Sequence, residues 1–166
     1  SLSDDAAVSI TVSAVNDAPV ASNATVTTNE DTEYSGTLSA SDVDEDALTY
    51  SIVTGPSNGT LTITNSSTGD YTYDPTANYN GSDSFIFSAS DGTLLDTATV
   101  SVTVTAVNDA PVADDQTVTT DEDTPLGITM TGSDIDDDSL DFTVISGPAN
   151  GTADVSEVYY FSKADY

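Results

Sequence analysis

"ATVSVTVTAV", residues 98–107, sets Val100, Val102 and Val104 alternately with Ser101, Thr103 and Thr105. Strict period-two alternation of β-branched apolar and small polar residues describes a half-buried β-strand, with one face in a core and one in water. The same grammar runs along the chain. "ALTYSIV" (47–53) puts Leu48, Tyr50 and Ile52 in phase, and "SFIFSAS" (84–90) puts Phe85 and Phe87 in phase. "TLTIT" (60–64) and "YTY" (71–73) do the same. Between these runs lie "GPSNG", "NSSTGD", "DPTANYNGSD" and "SDGT", all built from turn-forming residues. No segment shows a helical stripe. The expected fold is all-β.

The chain repeats itself. "VNDAPVA" at 15–21 returns at 107–113, "EDT" at 30–32 returns at 122–124, and "GPSNGT" at 55–60 returns as "GPANGT" at 147–152. Each pair is 92 residues apart, and residues 15–60 and 107–152 share 25 of 46 positions without a gap. A period of this size suits a tandem array of small domains, each with its own core, and is too long for a solenoid turn. About seven short strands per period indicate tandem β-sandwich domains of immunoglobulin-like architecture. There is no Cys or Trp, so the Cys-Trp-Cys core of antibody domains is absent.

Three segments follow. Residues 1–14 read as the last strand of a preceding repeat, because Val8, Ile10 and Val12 stand 92 residues before Val100, Val102 and Val104. Residues 15–106 are one complete repeat. Residues 107–166 are a second repeat, truncated before its last two strands, with Tyr166 matching Tyr79 after a five-residue deletion. The chain starts without Met and reads as an excerpt from a longer one.

Charge narrows the function. The 166 residues hold 29 acidic side chains and one basic one, Lys163, for a net charge of −28. Nucleic acid and anionic membranes are excluded as partners, since both are met by Lys and Arg. No apolar run is long enough to insert into a bilayer. With no His, Cys or Arg to act as imidazole base, thiol nucleophile or guanidinium oxyanion clamp, an enzyme is not expected. The tyrosines Tyr71, Tyr73, Tyr79, Tyr159 and Tyr160 are read as packing residues of strands before a sugar-stacking platform.

The acidic side chains are not spread evenly. "SDVDED" (41–46) sets Asp42, Asp44 and Asp46 on alternate residues, and "SDIDDD" (133–138) repeats the pattern with Asp134, Asp136 and Asp138. Carboxylates this close repel unless a cation bridges them. Hard oxygen donors suit Ca²⁺, which takes six to eight of them in flexible geometry. Zinc and copper want the His and Cys ligands that are missing here. The EF-hand alternative fails, because the sixth and twelfth positions are Ala47 and Val53 in one run and Ser139 and Ile145 in the other.

The order "VNDAPV", "NEDT", "LSASDVDEDALTYSI", "SASDG" resembles a cadherin repeat, and within that group the cadherin-like repeats of large secreted bacterial surface adhesins of the RTX type. The resemblance implies Ca²⁺ at the junctions between successive domains. It makes Glu30 the base glutamate, Asn108 and Asp109 the linker ligands, and Asp134 and Asp136 the pair at the top of the second domain. One junction earlier, Asn16, Asp17, Asp42, Asp44 and Asp91 take the corresponding roles, and Asp31, Asp46 and Asp138 are additional donors. Two departures reduce the expected number of ions to one or two per junction. Ala106 and Ala110 replace the outer linker ligands, and "NYNGSD" leaves only Asn80 and Asp83 where cadherins carry Asp-Arg-Glu.

The functional expectation is a Ca²⁺-stiffened spacer or adhesion repeat of an extracellular protein on the bacterial cell surface, contacting neighbouring repeats or copies of itself. The alternatives are a module binding polysaccharide or a protein, and a filament subunit that assembles by strand exchange.

Overall fold

The computed structural model describes residues 4–136, 139–154 and 159–162. It is all-β among those residues, and it divides into two compact units, Ser1–Ala106 and Val107–Tyr166.

The first unit is a two-sheet sandwich whose sheets are open. One sheet has the order β2 (Ala24–Asn29), β9 (Leu95–Thr105), β8 (Gly81–Ser90), β5 (Thr49–Thr54). The other has the order β3 (Tyr34–Thr37), β7 (Asp70–Pro75), β6 (Gly59–Asn65). A short pair, β1 (Val20–Ala21) with β4 (Ala40–Ser41), leads into the sandwich. β2 runs parallel to β9, and the remaining pairs are antiparallel.

Strand β9 behaves as its alternating pattern requires. Val100, Val102 and Val104 of β9 are buried, and Ser101, Thr103 and Thr105 are exposed. Tyr71 and Tyr73 from one sheet meet Phe85 and Phe87 from the other in a single core, with Tyr71 edge-on to Phe85 at 5.3 Å between ring centres. Burial pushes the Tyr71 hydroxyl up to about 12, helped by the neighbouring Tyr34. Filling a core with rings of this size contributes about 1.5–3 kcal/mol per side chain, which offsets the self-repulsion of an acidic surface. A β-bulge between Ile52 and Thr54 shifts the register of β5 on β8, and Val53, an outward position by alternation, is exposed. Gly69 closes the β6–β7 turn at φ 80°, its N–H donating to the Asn65 carbonyl. A side chain there would meet the Leu38 carbonyl at 3.0 Å.

Residues 4–19 form no strand, and Val8, Ile10 and Val12 are more than four-fifths exposed, at 85%, 82% and 89%.

The second unit repeats the opening of the first. β10 (Val112–Ala113) pairs with β12 (Gly132–Ser133) in the register of β1 with β4: Val112 faces Ser133 as Val20 faces Ser41. Asp31 and Asp123, again 92 apart, both sit at positive φ, 54° and 58°, in the same tight turn. β11 (Leu126–Gly127) pairs with β14 (Tyr159–Ser162), which also pairs with β13 (Gly151–Asp154). Leu126 faces Tyr160 as Tyr34 faces Tyr73, the match required by a five-residue deletion between the repeats.

Candidate metal centre

In the first unit the alternating carboxylates curl onto one another. Asp44 N–H donates to Asp42 Oδ1 at 2.8 Å, and Glu45, at φ 63°, completes the turn. One oxygen from each of Asp42, Asp44 and Asp46 lies within 4.8 Å of the others. The entering segment joins them: Asp17 N–H donates to Asp44 Oδ2 at 2.8 Å. Asn16 Nδ2 donates to Asp91 Oδ2 at 2.9 Å and to the Asp17 carbonyl at 3.3 Å. Asn16, Asp17, Asp42, Asp44, Asp46 and Asp91 are thus gathered at one end of the sandwich.

These carboxylates differ in how they are satisfied. Asp91 closes the β8–β9 turn, its Oδ1 accepting from Thr93 N–H at 2.6 Å and Leu94 N–H at 2.7 Å. The bond from Asn16, with those two, holds its carboxyl below the usual range. Asp42 is the opposite case. Its Oδ2 is buried without a hydrogen-bond partner. A buried acceptor left unmet costs about 1–3 kcal/mol, more when charged, and the only basic residue of the chain is Lys163. A buried oxygen with no hydrogen-bond partner, beside two further carboxylates, fits a hard cation. Donors of this kind suit Ca²⁺.

The second unit repeats the hydrogen bonds at the same offset. Asp136 N–H donates to Asp134 Oδ1 at 2.9 Å, Asp109 N–H to Asp136 Oδ2 at 2.7 Å, and Asn108 Nδ2 to the Asp109 carbonyl at 2.7 Å. Asn108, Asp109, Asp134 and Asp136 therefore share one loop cluster, and Asp138 lies outside the described residues.

Glu30 is elsewhere. It follows the last residue of β2, is 3% exposed, and donates its N–H to the Thr105 carbonyl at the end of β9. Asp91 precedes the start of β9, so an eleven-residue strand, about 35 Å, separates Glu30 from the Asp42 cluster. Asp31, beside it, accepts from Asn78 N–H at 3.0 Å.

Asp83, a weak ligand candidate in the sequence, has a different role. Its carboxylate accepts from Ser57 N–H at 3.0 Å, Asn58 N–H at 2.8 Å, Ser84 N–H at 2.8 Å and the Tyr73 hydroxyl at 3.0 Å. Burial opposes its ionisation, but these donors outweigh burial and hold the carboxyl below the usual range. Tyr73 is shifted upward, by burial first and then by Asp83. Asp83 pins the "GPSNG" loop to the start of β8. The in-phase run Asp83, Phe85, Phe87 was the available signal, since it points Asp83 inward where a carboxylate needs donors.

A family model for the bacterial Ig domain matches residues 16–105 and again 108–166. The chain belongs to the bacterial Ig domain family. Domains of this family are typically non-enzymatic. Among solved structures, this bacterial Ig domain chain is similar to Drosophila N-cadherin EC1-4, at 20% identity and a TM-score of 0.52, covering 89% of this chain and 41% of that one. That likeness shows a cadherin-like fold. It is also similar to human protocadherin-24 EC1-2, at 25% identity and a TM-score of 0.49, covering 70% of this chain and 61% of that one. The endo-fucoidan hydrolase MfFcnA4 of glycoside hydrolase family 107 matches at 25% identity and a TM-score of 0.49, over 86% of this chain. The chain spans only 23% of that hydrolase's length. No curated protein matches it. No helix among the described residues is long and apolar enough to cross a membrane.

Proposed function

We propose that these bacterial Ig repeats bind Ca²⁺ where the chain enters each repeat, and serve as an extracellular spacer or adhesion segment of a large bacterial surface or matrix protein of the RTX-adhesin type. The observation that carries the reading is the buried, unpartnered Asp42 Oδ2 beside Asp44 and Asp46. In the first repeat Asn16, Asp17, Asp42, Asp44, Asp46 and Asp91 would supply the ligands, and in the second Asn108, Asp109, Asp134, Asp136 and Asp138. Glu30, at the other end of its repeat, would serve the next junction along. In the same reading residues 1–14 are the last strand of a preceding repeat and residues 107–166 most of a following one.

The mechanism is electrostatic. Asn16 and Asp17 belong to the segment that leads into the repeat, whereas Asp42, Asp44 and Asp46 belong to its body. Without a cation the carboxylates repel and the entering segment is held by a few exposed hydrogen bonds. A shared ion ties segment to body and fixes the direction in which the chain arrives. Extracellular Ca²⁺ suffices for modules of this kind, whose dissociation constants run to about 10⁻⁴–10⁻³ M.

Calorimetric titration of the metal-free chain with Ca²⁺ tests the proposal. Binding is expected in both repeats, with Asp42→Ala removing the first repeat's share and Asp134→Ala the second's. Absence of binding at millimolar Ca²⁺ would defeat the reading.

A further inference from the structure

The chain enters the four-stranded sheet of the first unit at β2 and leaves it at β9. These two strands lie side by side and run parallel over the six residues Ala24–Asn29. Parallel neighbours start at the same end. Tension along the chain therefore pulls β2 back past its start and β9 forward past its finish, so the strands are driven to slide along each other. A sliding pair loads its evenly spaced hydrogen bonds together, whereas a pair opened from one end loses them one at a time. The neighbours decide which pair yields. β2 is the edge strand, and β9 is held on its other side along all ten residues of β8.

We propose that the parallel β2–β9 pair is a tension lock, which makes the repeat resist force between its entry and its exit far better than force applied at one end. Side chains fasten the pair at both ends. Where the pairing starts, Asn23 Oδ1 accepts from Thr99 N–H at 2.8 Å. Where it finishes, the Thr105 hydroxyl donates to Asn29 Oδ1 at 2.6 Å, with the Thr28 carbonyl at 3.1 Å, and Glu30 N–H donates to the Thr105 carbonyl at 2.9 Å. The segment ahead of β2 is held by shorter contacts, the two-residue β1–β4 pair and Ala21 N–H on Asp96 Oδ2 at 2.9 Å. These give way first, and the load then falls on β2 and β9. The use of the lock rests on the spacer reading. Its strength rests on strand direction and not on Ca²⁺.

Optical-tweezers measurements in EDTA on the full 166-residue chain test it. The chain has no Cys, so a pair of introduced cysteines sets the pulling points. Val15→Cys with Ala106→Cys makes β2 and β9 slide. Val15→Cys with Thr93→Cys, just ahead of β9, pulls both strands from their shared starting end. At one constant force the folded repeat should last at least about tenfold longer in the first geometry, since lifetime under force follows the unfolding rate. Thr105→Val removes the hydroxyl at the finishing end. It should shorten the sliding lifetime about fivefold, the factor that one net hydrogen bond is worth. The lifetime in the second geometry should stay within about twofold, because there Thr105 is the last residue reached. Denaturant melts check that both cysteine pairs leave the fold equally stable. Equal lifetimes in the two geometries overturn the proposal, and so does a Thr105→Val variant that shortens both alike. Neither result bears on the Ca²⁺ reading, which the calorimetric titration decides separately.

Discussion

Asp83 and Asp42 are both carboxylates held by the same sandwich, and they are treated in opposite ways. Asp83 receives three backbone N–H groups and a tyrosine hydroxyl, so the protein itself meets its charge. Asp42 receives one N–H on Oδ1, leaves Oδ2 buried and unmet, and faces two more carboxylates. An acid that folding satisfies is a structural pin. An acid that folding leaves wanting marks a place for something brought from solution. The distinction lies in the donors around each group, since local sequence acidity alone would rank only the Asp42 cluster as remarkable.

The largest expected effect falls on the pin. Asp83→Ala leaves two loop N–H groups without their acceptor and the Tyr73 hydroxyl with only its longer bond to the Asn58 carbonyl, 3.3 Å, and should cost about 3 kcal/mol, equally with EDTA and with Ca²⁺. Denaturant melts check this, and a Ca²⁺-dependent loss would place Asp83 among the ligands and erase the contrast.

Asp42→Asn should behave the other way. It removes charge from a crowded cluster, so with EDTA it should be neutral or stabilise by about 0.5 kcal/mol. With Ca²⁺ at a hundredfold over Kd it should forfeit up to about 2.7 kcal/mol of binding-linked stability in its repeat. A variant that is weaker than wild type by the same amount in both conditions would make Asp42 an ordinary structural acid.

The pin should also show in the pH dependence. The folded-state value of Asp83 is lowered, so its contribution is full above the unfolded value, about 3.9, and is lost as pH falls through the folded one. The stability gap between wild type and Asp83→Asn, measured with EDTA, should therefore be constant from pH 7 to about pH 5 and close in more acidic solution. A gap that widens on acidification would contradict the assignment.

The smallest effect belongs to an exposed acid that is already satisfied. Asp70 accepts from the hydroxyls of Thr68 and Thr37, which hold it below the usual range. Thr37→Val should shift the melting midpoint by only a degree or two, with no dependence on Ca²⁺.

Much of this was legible in the sequence. The alternation in 98–107 put Val100, Val102 and Val104 in the core, and the 92-residue offset carried the β1–β4 pairing over to β10–β12. Those features depend on side chains two residues apart or on exact repetition, both visible in a single chain. The alternating aspartates were visible for the same reason. The role of Asp83 was not, because its Ser57 and Asn58 donors sit about 26 positions away in sequence and meet it only when β6, β7 and β8 are assembled. Likewise the sequence named Asp42 and Asp91 as equals. Only the folded turn shows that Asp91 has three donors and that one Asp42 oxygen has none.

The most direct test is a pair of thermal melts of the unaltered chain, one with EDTA and one with Ca²⁺ in hundredfold excess over its Kd. An ion shared by the Asp42 cluster should raise the midpoint by on the order of 10 °C, the shift that corresponds to about 2.7 kcal/mol in a domain of this size. Superimposable melts would mean that the unmet oxygen of Asp42 has no cation to meet, and would contradict the account.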